Sequence, residues 1–165
     1  MIKSEGDKGK LGIKTYFFSN VCAVYRRDVF DLLGGFTNRA IFNEDMVYCA
    51  AVLKAGYRAA YAAEAKVVHS HNYSCMQQFH RNFDIGVSQA MHPEVFEGIR
   101  SEAEGKKMVK EAVRYLWKRS EWMKIPVFFL QCASKYAGFF LGKHYRSLPE
   151  RLIQVCTSNR EFWLQ

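Results

Sequence analysis

The stretches of this chain with strand character are too short to close a sheet. Tyr16–Phe18, Val21–Tyr25, Ala59–Tyr61 and Lys66–Val68 each run only three to five residues. An independently stable sheet needs at least three strands with a shared hydrophobic face. With 165 residues the chain is long enough for one ordinary domain with a real core. The strand-bearing first part therefore reads as part of a domain.

Between and after these stretches the signals are helical. Arg26–Leu33 predicts a short helix stopped by Gly34-Gly35. Asn43 has the chemistry of an N-cap, Glu44 and Asp45 suit a first turn, and Met46, Val47, Ala50, Ala51 and Leu53 supply one face before Gly56 ends the helix. Ser74–Gln77 has capping-box form and opens a helix with Met76, Phe79, Phe83 and Val87 at helical spacing. Ser101–Glu104 has the same form. The helix after it carries Lys107, Lys110, Arg114 and Lys118 on one stripe, with Trp117, Trp122, Phe128 and Phe129 nearby. Pro126 is expected to interrupt that helix, an aromatic-rich helix to follow, and Pro149 to sit in the first turn of the last one. The apolar run IPVFFLQCASKYAGFFLG is broken by Gln131, Ser134 and Lys135 and is expected to fall short of a spanning helix of ~20 residues. The expected organisation is a flexible leader over 1–12, a mixed α/β region of few short strands over 13–91, and a mainly helical region over 92–165.

Lys and Arg total 24 against 16 acids, a formal net charge of +8. That sign favours anionic partners: nucleotide diphosphates, nucleic acid or an anionic membrane face. The five cysteines are odd in number and show no C-x-x-C spacing, which argues against a disulfide framework or zinc ribbon and for a reducing cytosol. No signal peptide is expected, because the polar start lacks an apolar h-region.

Three groups of residues carry chemistry. Glu44-Asp45 is either a capped helix start or a carboxylate held ionised at a helix N-terminus and able to accept a proton. His69 and His71 alternate with Ser70 and so share a face of an extended chain, as a bonded pair or as donors to a divalent metal. A zinc site from His69, His71, Cys75 and His80 is an alternative whose spacing matches no common pattern. Arg81, in QFHR, is a solvated helix charge or a fork-shaped donor for a diphosphate.

Taken in order, SNVCAVYRRDVFDLLGGF, NEDMVYCAAVLKAGYRAAYAAEAKVVHSH and QFHRNFDIG resemble the C-terminal, acceptor-side half of an inverting family 2 glycosyltransferase. The likeness covers roughly Tyr16 to Gly86. FDIG and KYAGFFLGKHYRSLPERL narrow it toward bacterial rhamnosyltransferases. The resemblance implies a GT-A fold, a nucleotide-sugar donor (dTDP-rhamnose on the narrower likeness) and a glycan or lipid-linked acceptor on the way to a cell-surface polysaccharide. It makes Asp45 the base on the acceptor hydroxyl, with Glu44, Ser19 and Asn20 beside the acceptor. Arg81 and Gln78 meet the donor diphosphate. His69, or His71 in its place, is a ligand to Mg²⁺ or Mn²⁺ in the parent enzyme, with no metal held tightly by this chain alone. Processive relatives carry Q-x-x-R-W; here Asn82 follows Arg81, which favours transfer of one or a few sugars. The family's donor half, with its D-x-D motif, has no counterpart in these residues, so the chain reads as a piece of a longer enzyme, inactive alone. A cytoplasmic location is expected, with peripheral contact at the inner membrane face and no nucleic-acid partner. The rival reading is a non-catalytic basic, aromatic module that binds an anionic membrane or nucleic acid. It lacks any RNP, helix-turn-helix or zinc-finger pattern.

Overall fold

The computed structural model describes residues 1–98 and 102–164, with the side chains of 102–104 left aside. Those residues are mainly helical, and their sheet has two strands. The elements are β1 (Ile2–Lys3), α1 (Lys8–Leu11), α2 (Arg27–Leu32), α3 (Glu44–Lys54), β2 (Ala59–Ala60), α4 (Cys75–Met91), α5 (Pro93–Phe96), α6 (Glu102–Lys118), α7 (Ile125–Lys143) and α8 (Glu150–Cys156). They form two compact units. One comprises the described residues of Met1–His71 and Met91–Ile99, the other those of Asn72–Ala90 and Arg100–Gln165.

In the first unit, the segment expected to be a loose leader is ordered. Ile2 pairs with Ala60 and Lys3 with Ala59 in antiparallel register. Lys3 is buried, and its ammonium donates to the carbonyls of Lys14 at 3.0 Å and Phe17 at 2.6 Å. A buried cation persists only with such partners. Of the expected strands, only the one at Ala59 forms. Gly12–Thr15 is a 3-10 turn running into Tyr16, and the chain through Val21–Tyr25 and Lys66–Val68 is irregular. Short apolar runs without cross-strand partners do not hold extended pairing.

Helix α3 begins where the acids predict it. Asn43, however, does not cap it through its side chain. It adopts a left-handed φ of 60°, and its Nδ2 is buried without a hydrogen-bond partner among the described residues. The helix ends in a Schellman arrangement, with Tyr57 N–H on the Val52 carbonyl and Gly56 N–H on that of Leu53. Met46, Cys49, Ala50 and Leu53 bury one face with Tyr16, Ala59, Val95 and Phe96, which is the core of this unit.

In the second unit, α4 opens with the expected capping box. Ser74 N–H donates to Gln77 Oε1 at 2.9 Å and Gln77 N–H to Ser74 Oγ at 3.2 Å. Phe83 and Val87 are fully buried, whereas Met76 is exposed. The contact between α4 and α7 is built on glycine. A Cβ at Gly138 would meet the Phe79 backbone, one at Gly142 the backbone of Phe83 and Val87, and one at Gly86 that of Phe139 and Lys143. Asp84, fully buried, accepts from Thr157 Oγ1 at 2.6 Å, from Ser158 N–H at 2.9 Å and from the Ser158 hydroxyl. His80 Nδ1 lies 2.8 Å from the Cys156 carbonyl oxygen.

The capping box expected at Ser101 lies outside the described residues. Helix α6 ends well before Pro126, at Lys118, and the turn after it places Ser120 at a left-handed φ of 57°, while Pro126 occupies the first turn of α7. Pro149 is the N-cap residue of α8. The apolar run expected to fall short of a spanning length forms a helix that, with the preceding turn, extends over Trp122–Lys143. By length and composition it is long and apolar enough to cross a membrane. Gln131, Ser134 and Lys135 do not break it; they lie on its half-buried side, while Val127, Phe129, Leu130, Tyr136 and Phe140 are exposed.

Candidate functional site

The start of α3 gathers four polar side chains of the first unit. Asp45 is half-buried, and each of its oxygens has a backbone donor: Asn20 N–H on Oδ2 at 3.1 Å and Met46 N–H on Oδ1 at 2.8 Å. Glu44 Oε1 accepts from Asn20 Nδ2 at 2.9 Å. Tyr25 completes the set by donating its hydroxyl to Asn20 Oδ1. Asn20 therefore ties the two acids together, its backbone on one and its side chain on the other, with its own carbonyl fixed by Tyr25. The Tyr25 ring is held by Phe18, Phe30, Phe36 and Tyr48 at centroid separations of 5.3–5.9 Å. An aromatic cluster thus fixes a hydroxyl, which fixes an amide, which fixes two carboxylates.

The electrostatics differ from the sequence expectation. A first-turn acid is expected to be held anionic by the helix N-terminus. The Asp45 carboxyl is instead raised above its ordinary value, because burial outweighs the N–H donors from Asn20 and Met46, and the neighbouring Glu44 charge adds to the rise. Tyr25 is pushed up to about 12, first by burial and then by the Asp45 charge. A half-buried carboxylate with a raised pKa holds a proton more readily than a solvated one, which suits a general base.

The other expected site residues are placed as follows. Ser19 is half-buried beside this cluster in sequence, and its carbonyl accepts from Cys22 N–H at 3.1 Å. His69 and His71 are exposed, with their rings edge-on at 4.3 Å. Among the described residues no three His, Cys, Asp or Glu side chains cluster as a metal site. Mg²⁺ and Mn²⁺ prefer oxygen donors, so two exposed imidazoles do not by themselves fit such an ion. The fourth member of the zinc alternative, His80, lies against the Cys156 carbonyl. Arg81 and Gln78 belong to the second unit. Arg81 is half-buried with its guanidinium 5.5 Å from the Tyr73 ring centroid, and the Gln78 carbonyl accepts from Asn82 Nδ2 at 2.7 Å. Sequence reasoning missed Tyr25, which joins the cluster through a bend five residues after Asn20, a relation that no periodicity marks.

With that geometry in hand, comparison with known proteins adds the relatives. The chain is similar to O-antigen chain rhamnosyltransferases. It is 43% identical over 166 aligned residues to the O-antigen chain rhamnosyltransferase WbaN of Salmonella anatum, and 42% identical over 166 to the O-antigen chain rhamnosyltransferase RfbN of Salmonella typhimurium. Each alignment covers 99% of this chain and 52% of the relative. The chain spans about half the length of the curated relatives it matches. No family model and no solved structure matches it.

Proposed function

We propose that this chain is the acceptor-side half of an inverting glycosyltransferase of the GT-A, family 2 type. The enzyme would move a sugar, rhamnose from a dTDP donor, onto an O-antigen or similar cell-surface glycan precursor. The observation that carries the reading is the Asn20–Glu44–Asp45 cluster, in a chain aligned end to end with half of two rhamnosyltransferases. Asp45 is the base that takes the proton of the acceptor hydroxyl. Inverting transfer needs one such group, aimed at the acceptor and able to hold the proton as the new bond forms. Glu44 remains beside it to bind acceptor hydroxyls. Asn20, already engaged with both acids and with Tyr25, positions them rather than binding acceptor itself. Arg81, a planar fork, is the donor-diphosphate contact. No step is assigned to a metal, since the histidines alone do not fit one.

The test is Asp45→Asn in the full-length enzyme containing this chain. The substitution keeps the shape and removes the proton acceptor, so the transfer rate should fall by roughly 10²–10⁴ while donor affinity stays near wild type. A near-normal rate would leave Glu44-Asp45 as nothing more than a helix start.

A further inference from the structure

Helix α7 has two unlike sides. Its half-buried and buried side mixes Gln131, Lys135, Gly138 and Gly142 at helical spacing with Phe128, Cys132 and Phe139, and meets α4 at the two glycines. The opposite stripe is apolar and open to solvent, with Phe129 50%, Leu130 59%, Tyr136 67% and Phe140 51% exposed. A helix that exposes a continuous apolar face of this length marks a contact surface. What it contacts is indicated by the residues leading into it. From Lys106 to Lys124 the chain carries seven basic residues against Glu111 and Glu121. Lys110, Arg114 and Lys118 line a shallow depression on α6 with Val113 and Trp117. Trp117 and Trp122 are exposed on either side of the bend at Ser120. Exposed tryptophans between a cationic helix and an apolar one are the composition of a membrane–water interface.

We infer that α6 and α7 dock this chain on a bilayer bearing anionic headgroups, with α7 lying in the plane of the interface, its Phe129–Phe140 stripe toward the acyl chains and the α6 cations on the headgroups. The helix is long enough to cross, but crossing would carry α4 with it, because the two are in backbone contact at Gly86, Gly138 and Gly142. Asp84 and the polar side chains of α4 would then enter hydrocarbon, where ionisable groups are costly. An in-plane helix keeps α4 on the aqueous side. The aliphatic character of Met123, Val127 and Leu130 favours lipid over nucleic acid, whose bases stack on aromatic faces.

The experiment is co-sedimentation of the 165-residue chain with phosphatidylcholine vesicles and with vesicles of phosphatidylcholine and phosphatidylglycerol in equal parts. Tryptophan emission is followed in the same samples. Binding is expected only to the anionic vesicles, with a blue shift and a loss of affinity in high salt. The triple variant Lys110→Gln, Arg114→Gln, Lys118→Gln should bind about 100-fold more weakly, each neutralised cation counting for roughly fivefold. Phe129→Ser with Leu130→Ser should lose the salt-resistant part of binding. All five positions are exposed, so circular dichroism should report an unchanged fold. A control variant, Lys10→Gln, Arg58→Gln, Lys66→Gln, should bind as wild type. The inference is overturned by equal recovery with both vesicle types, by equal losses in the control and test variants, or by a single-stranded oligonucleotide that displaces the vesicles. Self-association through the α7 face in place of vesicle binding, or labels on α7 reached from both sides of the bilayer, would overturn it too.

Discussion

Gly142→Ala puts the α4–α7 contact to a quantitative test. The new methyl would lie 2.9 Å from the Phe83 carbonyl carbon and 3.0 Å from the Val87 nitrogen, with the Phe83 oxygen nearer still. These are backbone atoms, so no side chain can turn aside and the helices must separate. Overpacking of this kind costs about 1–3 kcal/mol. Replacing glycine by alanine inside a helix returns about 1 kcal/mol through propensity. Because the clash is with backbone, the upper half of the first range applies, and the net loss is about 1–2 kcal/mol. For a chain of this size that corresponds to a melting temperature lower by roughly 3–6 °C. Gly105→Ala on α6 isolates the propensity term, since a methyl there meets nothing within 4 Å; it should raise the melting temperature by roughly 2–4 °C. Thermal melts followed by far-UV circular dichroism compare the two variants directly. If Gly142→Ala melts at or above wild type, as Gly105→Ala should, the helices do not approach through their backbones and the glycine reasoning fails.

Burial raises the Asp45 carboxyl above its unfolded value of 3.8, so the folded state binds this proton more tightly than the unfolded chain does. The stability it contributes is complete below the unfolded value and is lost as pH rises through the folded one. Asp45→Asn should therefore flatten the decline of stability over that window in urea titrations at a series of pH values; an unchanged or steeper decline would contradict it. The 165-residue chain alone should show no turnover of nucleotide-sugar above a buffer control, measured by release of nucleoside diphosphate, and turnover would refute the half-enzyme reading. Titration of the isolated chain with Mn²⁺ should give no saturable broadening of the His69 and His71 imidazole resonances. Stoichiometric Zn²⁺ held by both histidines would instead support the self-contained site.

The parts of this structure that were legible in the sequence are those set by local rules. Glycine stops after α2 and α3, acids at the start of α3 and the Ser74–Gln77 capping box all depend on neighbours within a few residues, and each appears where the pattern places it. Of the expected strands that at Ala59 was legible, but its partner and the failure of the others were not, because pairing needs a partner elsewhere in the chain and, among the described residues, Ile2–Lys3 supplies it to Ala59–Ala60 alone. The acid pair was visible at Glu44-Asp45. What fixes it was not: Asn20 and Tyr25 reach it from more than twenty and nearly twenty residues away, through a bend with no periodic signature. FDIG and KYAGFFLGKHYRSLPERL carry a family likeness in sequence alone. Their glycines, Gly86, Gly138 and Gly142, prove to be the points where two helix backbones touch. The Asn43 expectation failed because a left-handed residue at the helix start turns its side chain away from the N–H groups it was meant to cap.

The Asp84 contact also sets an order of events during synthesis. Thr157 and Ser158 follow Asp84 by 73 and 74 residues, and Gly138 and Gly142 also emerge long after α4. At ~5–20 residues per second, a ribosome needs roughly 4–15 s to make the rest of the chain as far as Thr157. Throughout that interval the Asp84 carboxylate lacks its Thr157 and Ser158 donors, and closing the loop that finally supplies them is an entropic step of long range. The Asp84 contact of the second unit is therefore a late one that waits for Thr157 and Ser158. A nascent chain stalled short of Gly138 presents α4 without its α7 partner to chaperones and proteases.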